Sequence, residues 1–90
     1  MSKCNMEYFD FDEVLAVGEL LGVSWALVSP EEFCMGMQVE MEHRDVTGGD
    51  PILTGKIALA HLNELPDYYT RLEEMERAVP KRNGGRGRRR

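Results

Sequence analysis

Four residues have the types and spacing for acid–base or metal chemistry: Glu40, His43, His61 and Glu64. Glu40 and His43 stand three apart, as do His61 and Glu64, and residues three apart share one face of a helix. On two helices packed antiparallel, the two carboxylates and two imidazoles would converge into a donor set suited to zinc, manganese or iron. Di-iron bundles use Glu-x-x-His pairs together with further glutamates from other helices. Here only Glu40 and His43 have that order; His61 and Glu64 are reversed. The favoured reading is a buried polar network. Glu40 lies seven residues after Phe33, and His61 lies four after Ile57 and four before Leu65, so both fall near apolar faces. A buried carboxylate needs a partner, and histidine is a good one. No cofactor is expected, and a divalent metal is the alternative that the cluster leaves open.

A second group is Asp67-Tyr68-Tyr69, directly after Pro66. Adjacent helical residues point about 100° apart. Tyr68 is expected to head an apolar stripe with Leu72, Met75 and Val79, at spacings of 4, 3 and 4. Tyr69 then falls nearer the rim, where it and Asp67 could meet a partner protein. The favoured alternative is that Tyr69 covers the core edge and bonds a backbone carbonyl. A third group is the C-terminal run Lys81–Arg90, which holds six basic side chains and no acid. Glycine–arginine segments bind RNA and single strands through charge and guanidinium stacking, which makes Arg86, Arg88, Arg89 and Arg90 candidate nucleic-acid contacts. Against this, the other 80 residues carry 5 basic and 16 acidic side chains, a balance of −11 that repels nucleic acid.

Several catalytic patterns are excluded. Gly55-Lys56 is like the end of a phosphate loop, but Asp50 stands where that motif needs glycine and Ile57 where it needs Ser or Thr. His43-Arg44-Asp45 is like a kinase catalytic triplet, yet 90 residues do not hold a kinase. Cys4 and Cys34, 30 apart, form no CxxC pair and no four-ligand zinc pattern. With no apolar signal region after Met1, the expectation is a cytoplasmic protein with two reduced thiols. No apolar run approaches the roughly 18 residues of a membrane span, so no membrane partner is expected.

The elements that must carry these residues read as helices. A chain of 90 residues holds one domain. Residues 1–9 show no period and are expected to be flexible. Asp10 or Asp12 caps a first helix with Phe11, Val14, Leu15, Gly18 and Leu21 as its stripe, stopped by Gly22. Val23–Val28 is a short apolar run, taken as a turn or short helix carrying Trp25 inward. Ser29-Pro30-Glu31-Glu32 is a cap, an N1 proline and a capping-box glutamate, opening a helix to about His43. Arg44–Gly49 is expected as a polar loop, and Asp50-Pro51 opens the next helix. Gly55 marks a break in that helix or a close approach, and Pro66 ends it. The fold expected is all-α: a compact bundle of about four short helices over residues 10–80, then a disordered basic tail over 81–90.

The run Thr54-Gly55-Lys56-Ile57-Ala58-Leu59-Ala60-His61-Leu62-Asn63-Glu64-Leu65-Pro66-Asp67-Tyr68-Tyr69-Thr70-Arg71-Leu72, with Phe33, Gly36, Glu40, Glu42-His43 and Asp45 before it, resembles a small uncharacterised family of bacteria and phages. The resemblance covers roughly residues 14–76. That family is a domain of unknown function, so the resemblance implies no activity. The reading that follows is a small interaction or accessory protein, more a binder than an enzyme. It would act through its acidic helical surface on another protein, and a second copy of the chain is a further candidate partner. The alternatives are a metal-binding domain or metal-dependent enzyme built on the Glu/His cluster, and a nucleic-acid-associated protein acting through the tail.

Overall fold

The computed structural model describes residues 4–78. Within them are four longer helices and one short one, and no strand: α1 (Phe11–Leu21), α2 (Pro30–Glu40), α3 (Arg44–Thr47), α4 (Pro51–Glu64) and α5 (Tyr68–Ala78). A 3₁₀ turn, Met41–His43, joins α2 to α3. The all-α bundle is thus as the sequence implies. No helix among the described residues is long and apolar enough to cross a membrane.

Local signals set the helix starts. Asp10 and Glu13 form a reciprocal capping box, Asp10 accepting from the Glu13 N–H at 2.8 Å and Glu13 from the Asp10 N–H at 2.9 Å. Gly22, at φ 74°, ends α1 in the left-handed conformation that glycine takes without strain. Ser29 accepts from the Glu32 N–H, and Asp50 from the Ile52 N–H at 2.8 Å. Pro30 and Pro51 occupy the first turns of their helices, where a missing N–H costs nothing.

α2 is the central element, packed against α1, α4 and α5. Every residue from Glu32 to Gln38 is buried. A helix enclosed on all sides loses the one-sided apolar stripe of a surface helix, and α2 carries polar groups on two of its inner faces. Two glycines let its neighbours come close. A Cβ at Gly55 of α4 would meet Val17 Cγ1 at 2.6 Å and Phe33 Cζ at 3.3 Å. Gly55 is therefore a contact point, and α4 continues through it unbroken. A Cβ at Gly36 of α2 would strike the Tyr69 ring and sit 2.9 Å from the Ala58 Cβ.

Four local expectations need correction. Residues 44–47, expected as loop, form a helical turn that Gly48 stops at φ 70°. The glycines there end a helix instead of starting a loop. Residues 4–9, expected to be loose, are packed on α2, with Cys4 and Phe9 buried. The disulfide that joins Cys4 and Cys34, their Cα atoms 5.8 Å apart, overturns the reduced-thiol expectation. Finally, α5 is turned by one residue from its expected phase. Tyr69 is buried, Tyr68 and Leu72 are half-buried and Met75 is 58% exposed. Val79 and the tail, including Arg86, Arg88, Arg89 and Arg90, lie outside the described residues.

Candidate functional site

Tyr69 is the centre of the polar interior. Three α2 residues spaced four apart, Glu32, Gly36 and Glu40, fall on one face of that helix and hold the tyrosine along its length. At one end, Glu32 Oε1 accepts the backbone N–H groups of Tyr69 and Thr70, each at 3.2 Å, and Oε2 accepts the Thr70 hydroxyl. The N–H groups of a helix's first turn have no partner within the helix, so a carboxylate 37 residues earlier in the chain caps α5. The sequence gives Glu32 a capping-box role at its own helix. In the structure its side chain instead reaches across to α5. In the middle, the missing side chain of Gly36 makes room for the ring. At the far end, the Tyr69 hydroxyl donates to Glu40 Oε2 at 2.7 Å.

His61 of α4 completes this end. Its Nδ1 lies 2.9 Å from the Tyr69 oxygen and 3.2 Å from Glu40 Oε2. Because the tyrosine proton points to Glu40, Nδ1–H is the donor to both oxygens, and a neutral His61 carries its proton there. The imidazole stacks on Tyr68, with centroids 4.5 Å apart and planes 13° apart, and meets Tyr69 edge-on at 6.0 Å. Burial, then the hydrogen bond to Glu40, push the Tyr69 phenol well above its ordinary range. Tyr69 is therefore a fixed hydrogen-bond donor near neutral pH.

The structure thus joins Glu40 to His61 and leaves the other two candidates apart. His43 is exposed at the junction of the 3₁₀ turn and α3, where φ is −106° and ψ 28° and the helix carrying Glu40 has ended. Glu64, the last residue of α4, is exposed. Among the described residues no group of three His, Cys, Asp or Glu side chains is placed to hold a metal ion. Tyr69 is also corrected in its placement: expected at the rim, it is 1% exposed and contributes to the lining of the cleft described below. Asp67 stays at the surface, where its carboxylate accepts from Arg71 Nε at 2.8 Å.

The sequence reading gave Gln38 no role. One turn after Cys34, its side chain binds the N-terminal segment. Its Oε1 accepts the Tyr8 N–H at 2.7 Å and the Phe9 N–H at 3.2 Å, and its Nε2 donates to the Phe9 carbonyl at 2.7 Å. A glutamine in a helix otherwise lined by Phe33, Cys34 and Met37 was the available signal, since a buried amide must find partners.

Between the N-terminal segment, α2 and α5 lies an open cleft of about 180 Å³. Met35, Val39 and Leu72 supply apolar lining, and Glu73 and Glu76 line it from α5. Both glutamates are exposed, and Glu73 also pairs with Arg77 at 3.4 Å.

No curated protein matches the chain, and no solved structure does. A family model does match, over residues 14–78, which includes α2, α4, α5 and the Glu32–Tyr69–Glu40–His61 network. The chain belongs to the family described as Protein of unknown function (DUF5661).

Proposed function

We propose that this protein is a small interaction or accessory protein that binds a basic segment of another protein through its acidic helical surface, at the cleft between α2 and α5. The observation that carries the reading is the pairing in that cleft of apolar lining (Met35, Val39, Leu72) with the carboxylates of Glu73 and Glu76. Apolar contact supplies affinity, and the carboxylates select a basic sequence and speed its arrival. The wider surface has the same sign. Residues 4–78 hold 16 acidic side chains against Arg44, Lys56, Arg71 and Arg77, and only Glu32 and Glu40 of the acids are buried. The inward Glu32, Glu40, His61 and Tyr69, by contrast, bond within the bundle and tie α5 and α4 to α2.

The experiment is capture from lysate at about 0.1 M and about 0.5 M salt, salt concentrations that differ in how far they screen charge. Wild type is compared with a Glu73→Gln/Glu76→Gln variant, which neutralises the two cleft carboxylates. The expected result is a partner rich in Lys or Arg, held by wild type at low salt, released at high salt and not held by the variant. A partner retained equally by the variant, or none sensitive to salt, refutes the reading.

A further inference from the structure

We propose that the Cys4–Cys34 disulfide is a redox-sensitive latch that fastens the N-terminal segment, residues 4–9, against α2. Two sets of bonds hold this segment, and both start from one face of α2. Cys34 and Gln38 are four apart; Cys34 supplies the covalent tie and Gln38 the three hydrogen bonds to Tyr8 and Phe9. The Gln38 Nε2 also lies 3.6 Å from each sulfur, so the amide and the disulfide form one unit. The rest of the bundle stands on other contacts. The packing of α2 on α1, α4 and α5 and the Tyr69 network are contacts between the helices and do not involve residues 4–9, although Cys4 and Phe9 join the common core. Opening the bond removes the covalent tie and leaves the segment held by Gln38 and the burial of Phe9, so the segment loosens without dismantling the helices.

The chemistry is thiol–disulfide exchange with a reductant of the small-thiol class. The thiolate of one reductant molecule attacks Cys4 Sγ, on the less enclosed of the two residues, 5% exposed against 0% for Cys34. The S–S bond breaks, a mixed disulfide forms on Cys4, and the Cys34 thiolate leaves and takes up a proton. A second reductant thiolate displaces Cys4 as its thiol. The protein gains two electrons and two protons, and two reductant thiols become one disulfide. In a reducing compartment the latch stands open, and oxidation closes it. Asn5 lines the cleft beside Gln38 and Tyr69, so release of the segment removes one wall of that cleft. The consequence for a partner rests on the function proposed above, whereas the latch itself does not.

The test is amide hydrogen exchange on the full chain, oxidised with glutathione disulfide and then reduced. Alkylation of the unfolded protein with mass readout counts the thiols in each state. The expected count is none in the oxidised protein and two in the reduced. On reduction, exchange at the Tyr8 and Phe9 amides should quicken by about tenfold or more, while α4 amides stay within about twofold. Cys4→Ser in oxidising buffer should reproduce the reduced pattern. Failure of the disulfide to form overturns the proposal, as does unchanged exchange at Tyr8 and Phe9. Equal loss of protection in α1, α2 and α4 overturns it too, because the bond would then be a staple for the whole fold. Absence of a salt-sensitive partner would remove the cleft reading and leave the exchange result standing.

Discussion

Replacing Tyr69 by phenylalanine removes one oxygen from the interior and keeps the ring that fills the space beside Gly36. The lost bond is the 2.7 Å donation to Glu40, whose side chain is 7% exposed. Hydrogen bonds to charged groups contribute about 1.5–3 kcal/mol, and a buried acceptor left short of a donor adds to the loss. Glu40 keeps His61 Nδ1 at 3.2 Å, which places the expected cost near the middle of that range, at about 2 kcal/mol. In a domain of this size each kcal/mol moves Tm by roughly 4–8 °C, so Tm should fall by about 8–16 °C. Urea unfolding followed by far-ultraviolet circular dichroism and by Trp25 fluorescence measures it. The slope with denaturant should be unchanged if the same surface is exposed. A Glu40→Leu/Tyr69→Phe double variant should be less destabilised than the two single changes sum to, by about 1–3 kcal/mol, because the Tyr69–Glu40 bond that each single change breaks is lost only once. A loss below about 0.5 kcal/mol in Tyr69→Phe, the range of an ordinary surface substitution, would refute the view that this network holds α5.

The same phenol predicts an alkaline limit. Its folded-state pKa is raised, so above about pH 10 the unfolded chain loses a proton that the folded one keeps, and stability falls by about 1.4 kcal/mol per pH unit from this group. Subtracting the Tyr69→Phe pH profile from that of wild type should show this slope above pH 10 and a constant difference between pH 7 and 9. Gly36→Ala should cost about 1–3 kcal/mol or displace Tyr69, seen as a changed near-ultraviolet dichroism, since its Cβ meets that ring and Ala58. Thr54→Val should stabilise by about 1 kcal/mol in urea unfolding, because the Thr54 hydroxyl is buried without a hydrogen-bond partner.

The helix starts were legible because they are local. Ser29-Pro30 and Asp50-Pro51 specify a cap and a first-turn φ within two residues, and both act as read. The Glu40–His61 pair was legible in part, because each residue falls on its helix's apolar face at a spacing that a polar side chain would occupy only with a partner. His43 and Glu64 share those spacings but sit where α2 gives way to a 3₁₀ turn and where α4 ends, and spacing alone does not report where a helix stops. The phase of α5 was not legible. It depends on Glu32 taking the Tyr69 and Thr70 N–H groups and on Gly36 leaving a space, both contacts across more than 30 residues. The disulfide was hidden for the same reason: it needs residues 4–9 to lie along α2, and what holds them is the side chain of Gln38.

On the function proposed above, the interior polar groups maintain the fold while the acidic cleft does the binding. The most direct test runs two variants through one capture experiment at about 0.1 M salt, a concentration at which surface charges still act over about 10 Å. Glu73→Gln/Glu76→Gln should lose the partner yet unfold within about 0.5 kcal/mol of wild type, and folded Tyr69→Phe should keep the partner despite its lower stability. Loss of the partner in Tyr69→Phe, with its retention by the glutamine variant, would contradict the claim and put the function in the Glu40–Tyr69–His61 network.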